Sequence, residues 1–91
     1  MAYVCPACGY DGLEEQPWTD GSASYEICPS CGIQFGYTDW AGGDVERRGS
    51  VYATWRERWR ASGLRWSSPG EGPPPGWDPV RQLLRVADAS P

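Results

Sequence analysis

One short motif occurs twice in the chain, and this repeat limits the fold more than any other feature. The motif Cys-Pro-x-Cys-Gly occupies residues 5–9 and again residues 28–32, with 19 residues between Cys8 and Cys28. A Cys-x-x-Cys turn brings two sulfur atoms to the same side of a tight backbone reversal, so two such turns complete a tetrahedral set of ligands. The spacing therefore predicts one metal site, with the ligands Cys5, Cys8, Cys28 and Cys31.

The residues next to the thiols agree with a metal site. Pro6 and Pro29 stiffen the two turns, whereas Gly9 and Gly32 allow the positive φ that turns backbone amides towards the thiolates. Amide-to-sulfur hydrogen bonds of this kind stabilise the negative charge of a metal tetrathiolate. The alternative is that one pair is a redox dithiol, but the duplicated frame would then be a coincidence. We therefore expect a structural ion.

The size of the chain and its N-terminus bear on how the cysteines are used. A chain of 91 residues forms one domain with little buried apolar surface, so we expect a cross-link or a metal to help stabilise it. The first residues have no basic start and no apolar run, and no stretch approaches the roughly 20 apolar residues that span a bilayer. These features predict a cytoplasmic, thiol-reducing location and no membrane segment, so the cysteines should bind metal instead of forming disulfides.

The identity of the metal follows from the ligands and from the rest of the chain. Four thiolates suit zinc and also the single iron of a rubredoxin. We favour one zinc ion in a tetrathiolate site, with iron as the alternative, because rubredoxins contain little more than their metal site and its core. The chain has no histidine, and four protein ligands leave no open position for water. We therefore predict that the protein is not an enzyme.

Two segments resemble a known family signature. The segments CPACGYDGL and YEICPSCG resemble the signature of the small bacterial cysteine-rich proteins called the CPCC family. The resemblance covers roughly residues 3–40, and it implies a zinc-ribbon-like fold with the four cysteines as ligands. Ala7 and Ser30 stand where the CPCC string would place a further cysteine. The resemblance implies a fold and a metal but no activity.

The sequence predicts an α+β fold in which β-hairpin knuckles of zinc-ribbon or rubredoxin type are extended by two short α-helices. Apolar and polar residues alternate at residues 25–27 and 33–37, which predicts half-buried strands beside the second cysteine pair. The single domain, residues 1–91, would contain four segments: a four-cysteine zinc ribbon at 1–43, an amphipathic aromatic and arginine-rich helix at 44–66, a proline- and glycine-rich arm at 67–77, and a short C-terminal helix at 78–87.

The first predicted helix contains the run SVYATWRERWRASG, with Ser50 as its N-cap and Gly63 just past its end. Tyr52, Trp55 and Trp59 recur at helical spacing, so we expect them on the buried face and the arginines on the remaining surface. The chain has six tryptophans, distributed over every segment. We expect most of them in one small shared core.

The second predicted helix begins with Asp78 as its N-cap and Pro79 in the first turn. Val80, Leu83 and Leu84 form its expected apolar face. The preceding arm, SSPGEGPPPGW, contains too much proline and glycine for a helix, so it should be extended.

Charge is distributed unevenly between the two halves. Residues 1–46 contain eight acidic and no basic residues, whereas residues 47–91 contain all eight arginines and four acidic residues. Either the basic part packs on the acidic part within one domain, or one charged face stays free for a partner. We favour packing within the domain, because exposed arginines are ordinary on helices.

These features predict a zinc-stabilised protein-interaction module, expected to be a monomer whose partner is another protein. The candidate partner-binding residues are Arg56, Arg60, Trp66 and Trp77. The two tryptophans flank the arm, and they either pin it to the body or line a groove. Nucleic-acid binding is the second hypothesis, although the net charge of −4 disfavours it. Rubredoxin-like electron transfer through iron is the third.

Overall fold

The computed structural model describes residues 2–87, which contain one β-hairpin and two α-helices. The hairpin pairs β1 (Trp18–Thr19) with β2 (Ser22–Ala23) in antiparallel register. The helices are α1 (Val45–Ala61) and α2 (Pro79–Ala87). This arrangement confirms the α+β class. Neither helix of the described part has the length and apolar character needed to cross a bilayer.

The β structure beside the second cysteine pair is smaller than predicted. Residues 25–27 and 33–37 form no regular strand, and their pairing is limited to a single bridge between Ile27 and Gln34. Gly36 has a φ of 93°, so the chain leaves the extended conformation there. The strand prediction is wrong because the apolar alternation belongs to consecutive turns and not to a pleated segment.

The hydrophobic core surrounds the cysteines. Its buried side chains come from the cysteine turns and from both helices: Cys5, Ala7, Cys8, Leu13, Cys28, Cys31, Ile33, Phe35, Trp59 and Leu83. Trp59 is the one buried tryptophan of the six, and Trp40 is 56% exposed. The expectation of a core that contains most of the tryptophans is therefore wrong. An indole N–H needs a hydrogen-bond acceptor, and most of these rings find theirs at the margin of the core.

The first helix begins at Asp44 and not at Ser50. The Asp44 carboxylate accepts hydrogen bonds from two first-turn amides over 3.0 and 3.4 Å. This cap satisfies amides that have no partner inside the helix, and its negative charge suits the N-terminal end. Ser50 lies inside α1, so the predicted N-cap is wrong. The helix ends before Gly63, whose φ of 100° is the predicted termination signal, and so it stops short of residue 66.

The second helix has the predicted N-cap but not the predicted apolar face. The Asp78 carboxylate accepts a first-turn amide over 3.1 Å. Leu83 is buried, whereas Val80 and Leu84 are 61% and 57% exposed. Gln82 takes an inward position instead. A glutamine can be buried at low cost when its amide finds polar partners, and sequence periodicity does not report such partners.

Candidate metal centre

The four cysteine sulfur atoms lie at distances that fit one metal ion. Cys5 Sγ is 3.9 Å from Cys31 Sγ, and Cys8 Sγ is 3.7 Å from Cys28 Sγ. All four sulfur atoms lie within 4.8 Å of one another. A tetrahedral zinc ion with Zn–S bonds of about 2.3 Å requires sulfur atoms about 3.8 Å apart. The four thiols are free and buried, so they are positioned to bind a metal ion.

The electrostatics of the cluster also favour a cation. Burial raises the pKa of the Cys5 thiol well above its ordinary value. Hydrogen bonds from the Cys28, Cys31 and Cys5 thiols lower the pKa of Cys8. Four sulfur atoms this close share protons, because several thiolates would repel one another in a medium of low dielectric. A divalent cation replaces those protons and removes the repulsion.

Gly9 and Gly32 shape the two cysteine turns, which we call the first knuckle (residues 5–10) and the second knuckle (residues 28–33). Their φ angles are 87° and 84°, in the region that favours glycine. Their amides donate to the carbonyl oxygen of the first cysteine in the same knuckle, over 2.9 and 2.8 Å. At Cys8 the expected amide-to-sulfur contact is present, because the backbone of Tyr10, next to Gly9, forms a hydrogen bond with the thiol that helps to lower its pKa. A Cβ atom on Gly9 would collide with the carbonyl group of Gln82.

Side chains of both helices cap the first knuckle. Four successive carbonyl oxygens each accept a hydrogen bond: Pro6 from Arg56 Nη2 (3.0 Å), Ala7 from Arg56 Nε (2.7 Å), Cys8 from Gln82 Nε2 (3.2 Å) and Gly9 from Arg85 Nη1 (2.9 Å). Two of the three donor side chains are cationic, whereas a divalent ion with four thiolates has a net negative charge. The guanidinium groups therefore offset the charge of an occupied site.

The arm and α1 cap the second knuckle. The Ser67 amide donates to the carbonyl oxygens of Pro29 and Ser30 over 3.0 and 3.1 Å. Trp55 Nε1 donates to the Cys31 carbonyl oxygen over 3.1 Å. Backbone carbonyls of both knuckles thus find their partners in the second half of the chain, and this half encloses the cysteines.

Gln82 connects the two knuckles. Its side chain is 4% exposed, and its Nε2 atom donates to the Cys8 carbonyl oxygen and to Ser30 Oγ, the latter over 2.9 Å. Its Oε1 atom accepts a hydrogen bond from Trp77 Nε1 over 2.7 Å. The buried amide is therefore satisfied, and it ties α2 and the arm to the cysteines. Sequence reasoning missed this residue because a glutamine beside leucines predicts a helix surface.

Asp39 is a second buried polar residue that sequence reasoning missed. Its side chain is fully buried, and its carboxylate accepts hydrogen bonds from Trp18 Nε1 (2.8 Å), the Tyr52 hydroxyl (2.6 Å) and the Gly36 amide (2.6 Å). Burial, together with the hydrogen bond to Asp39, raises the pKa of Tyr52. The carboxylate therefore joins the β-hairpin and α1. No sequence signal distinguishes this aspartate from one in an exposed loop.

The structure does not bring the four predicted partner-binding residues into one site. Arg56 contacts the first knuckle. Trp66 lies edge-on between Tyr10 and Trp77, with ring centroids 5.5 and 5.1 Å apart, so the two tryptophans pin the arm to the body. Arg60 is exposed and forms an ion pair of 3.7 Å with a carboxylate of its own helix. The sequence predicts that the arginines either pack within the domain or form a free face for a partner. Arg56 and Arg85 pack within the chain.

The fold and the site define a small α+β protein with four buried cysteines positioned to bind one metal ion. Two curated relatives from Bacillus subtilis (strain 168) are similar to it. The uncharacterized protein YoaQ is 44% identical over 39 residues, which cover 41% of this chain and 33% of YoaQ. The uncharacterized protein YozI is 40% identical over 40 residues, with the same two shares.

The likeness is therefore partial. The chain spans about a third of the length of the curated relatives it matches. No family model matches the chain, and no solved structure matches it. The resemblance to the CPCC family and to zinc ribbons stays a prediction.

Proposed function

We propose that this chain is a zinc-stabilised protein-interaction module without catalytic activity. One zinc ion would be bound by Cys5, Cys8, Cys28 and Cys31. The observation that carries the proposal is the closure of the site: the four sulfur atoms supply every ligand of a tetrahedral ion, and both helices cover the first knuckle. Closed all-thiolate zinc sites are structural, because the ion is redox-inert and no position is left for water or substrate.

We favour zinc over iron because the site holds the parts of the fold together. Hydrogen bonds to the backbone around the four cysteines join the two knuckles to the arm and to both helices. A redox-inert ion of fixed tetrahedral preference suits this task, and binding of the ion contributes directly to the free energy of folding.

Native mass spectrometry with metal analysis, on protein purified from unsupplemented cells, tests the metal. One zinc per chain is the expected result. A red iron form that cycles reversibly between two oxidation states would contradict it and make the cysteines a redox centre.

The binding role is supported by exposed apolar side chains in the segment that leads into α1. Tyr37, Trp40 and Val45 are 78%, 56% and 69% exposed. Aromatic residues are enriched in protein–protein interfaces and depleted from ordinary surfaces. These side chains lie outside the core, within nine residues of one another in the sequence, and they offer apolar surface for a protein partner.

Capture from cells of the source organism tests the binding role. The tagged, zinc-loaded chain should retain a protein that the Cys28→Ser variant does not, and the purified pair should re-form a complex of defined stoichiometry. Retained material that disappears on nuclease treatment would favour nucleic-acid binding instead. Failure of the purified components to bind would contradict the proposal.

A further inference from the structure

A groove runs along the exposed side of α1. Its volume is about 330 Å³, and α1 lines it with Arg47, Val51, Trp55 and Arg58, while Thr38 and Ala41 close the other side. We call this feature the α1 groove. None of the described residues that line it is acidic.

The two arginines lie at opposite ends of the α1 groove on one face of the helix. They are separated by three helical turns, roughly 16 Å along the axis. Val51 and Trp55 lie between them and are one turn apart, so they form an apolar floor. The groove therefore presents a cation at each end and an apolar surface in the middle.

Both guanidinium groups are available for a ligand. Within residues 2–87, neither Arg47 nor Arg58 pairs with a carboxylate; the ion pairs there involve Arg60 and Arg85. Arg56 and Arg85 are used at the first knuckle. The α1 groove thus presents two guanidinium groups without a carboxylate partner among the described residues, in a chain whose net charge is −4.

We propose that the α1 groove binds an acidic segment of a partner protein. Carboxylates at the two ends of the segment would face Arg47 and Arg58, and an apolar side chain between them would pack on Val51 and Trp55. Opposite charges on facing surfaces favour and orient such an encounter. An extended peptide covers roughly 16 Å with about five residues. This inference rests on the proposed binding function and adds the chemistry of the partner.

The groove suits a polypeptide better than a nucleic acid. Single-stranded nucleic acids bind through aromatic faces on which their bases stack. Among the described residues that line the α1 groove, Trp55 supplies the one aromatic ring, so successive bases would find no row of stacking faces. The twelve acidic residues of the chain also repel a polyphosphate, which brings more negative charge to the surface than a short peptide does.

Selection from a random dodecapeptide display library on the zinc-loaded chain tests the inference. The enriched peptides should contain aspartate or glutamate on both sides of an apolar residue. Their Kd should increase at least about fivefold between about 50 and about 300 mM salt, because the contact is electrostatic. On addition of an enriched peptide, the largest NMR shifts should occur at Val51 and at the Trp55 indole N–H.

A pair of matched double variants locates the contact. The Arg47→Gln, Arg58→Gln chain should bind an enriched peptide about tenfold more weakly. The Arg65→Gln, Arg81→Gln chain loses the same charge from exposed positions outside the groove and should bind like the unmodified chain. Zinc content and circular dichroism check that both double variants fold. If a variant does not fold, the NMR shifts of the unmodified chain locate the contact instead.

Four results would overturn the inference. They are enrichment of basic or uncharged peptides, equal loss of binding in both double variants, NMR shifts confined to other surfaces, and tighter binding of an oligothymidine than of the enriched peptides. If the chain self-associates in a sedimentation experiment and the groove variant does not, the occupant of the groove is a second copy of the chain. This result would also overturn the inference. A partner captured equally by the unmodified chain and the groove variant contradicts the groove but leaves the binding function intact.

Discussion

The Arg56 Nε atom donates a hydrogen bond to the Ala7 carbonyl oxygen over 2.7 Å, which joins the middle of α1 to the first knuckle. The same guanidinium donates to the Pro6 carbonyl oxygen over 3.0 Å. Arg56 and Ala7 are 49 residues apart in the sequence. The contact therefore forms only when the basic half of the chain folds onto the acidic half.

Replacing Arg56 tests whether this contact stabilises the fold. The Arg56→Ala variant should lose about 2 kcal/mol of unfolding free energy, because two carbonyl groups lose a charged donor. Zinc should also pass faster to a chromogenic chelator, since the first knuckle loses its cap. Urea unfolding followed by tryptophan fluorescence measures the stability. Arg60→Ala is the control, because its exposed ion pair contributes less than about 0.5 kcal/mol. Equal losses in the two variants would contradict the role of Arg56.

Replacing Gln82 tests the connection between the knuckles. Gln82→Leu keeps most of the volume but leaves the partners of the amide, among them Ser30 Oγ and Trp77 Nε1, without this hydrogen bond. We expect a loss of about 2 kcal/mol, because buried polar groups without partners are costly. Thermal unfolding with zinc bound measures it. The exposed Gln16→Leu is the matched control, and a Gln82 variant as stable as that control would show that the connection is dispensable.

Replacing a metal ligand tests the link between the ion and the fold. Cys28→Ser should abolish the binding of one zinc per chain and the cooperative unfolding of the N-terminal half, because metal binding and folding share one free energy. Metal analysis and the near-UV circular dichroism of the aromatic residues report the two effects. Ser22→Ala, in the exposed hairpin, should change neither. A Cys28 variant with an unchanged thermal transition would rule out a structural metal.

The contribution of Tyr52 to the stability of the folded state should be lost at alkaline pH. Its burial and its hydrogen bond to Asp39 raise its pKa above the ordinary value of about 10. The folded state thus holds the phenol proton more tightly than the unfolded state does. This contribution is fully present below about pH 10 and is lost as the pH rises above it. The unfolding free energy of the zinc-loaded chain should therefore fall more steeply with pH than that of Tyr52→Phe.

The same variant should show a second effect at neutral pH. Tyr52→Phe removes a hydrogen bond to a buried carboxylate and should cost about 1 kcal/mol. Tyr37→Phe is the control, since Tyr37 is 78% exposed. Denaturant titrations at a series of pH values give both results. If the pH slopes of the unmodified chain and of Tyr52→Phe coincide, the proton of Tyr52 does not stabilise the fold.

The features that sequence predicted correctly depend on neighbouring residues. A Cys-x-x-Cys turn brings its two sulfur atoms together within four residues, and Asp78 followed by Pro79 favours a helix start through the cap and the fixed φ that these two residues supply. One error arose where two local signals competed. Asp44 and Ser50 are both good N-cap residues, and the structure uses the first, whose carboxylate accepts two first-turn amides.

Local sequence was thus sufficient for the two cysteine pairs, the presence of two helices and the non-helical arm, because each depends on residues close together in the chain. The hydrogen-bond partners of the buried polar side chains depend instead on the packing of the whole chain. Arg56 reaches a carbonyl group 49 residues away, and Gln82 reaches one 74 residues away. No periodicity encodes a contact at such a separation, since it exists only when helices and knuckles meet and buried backbone groups require donors.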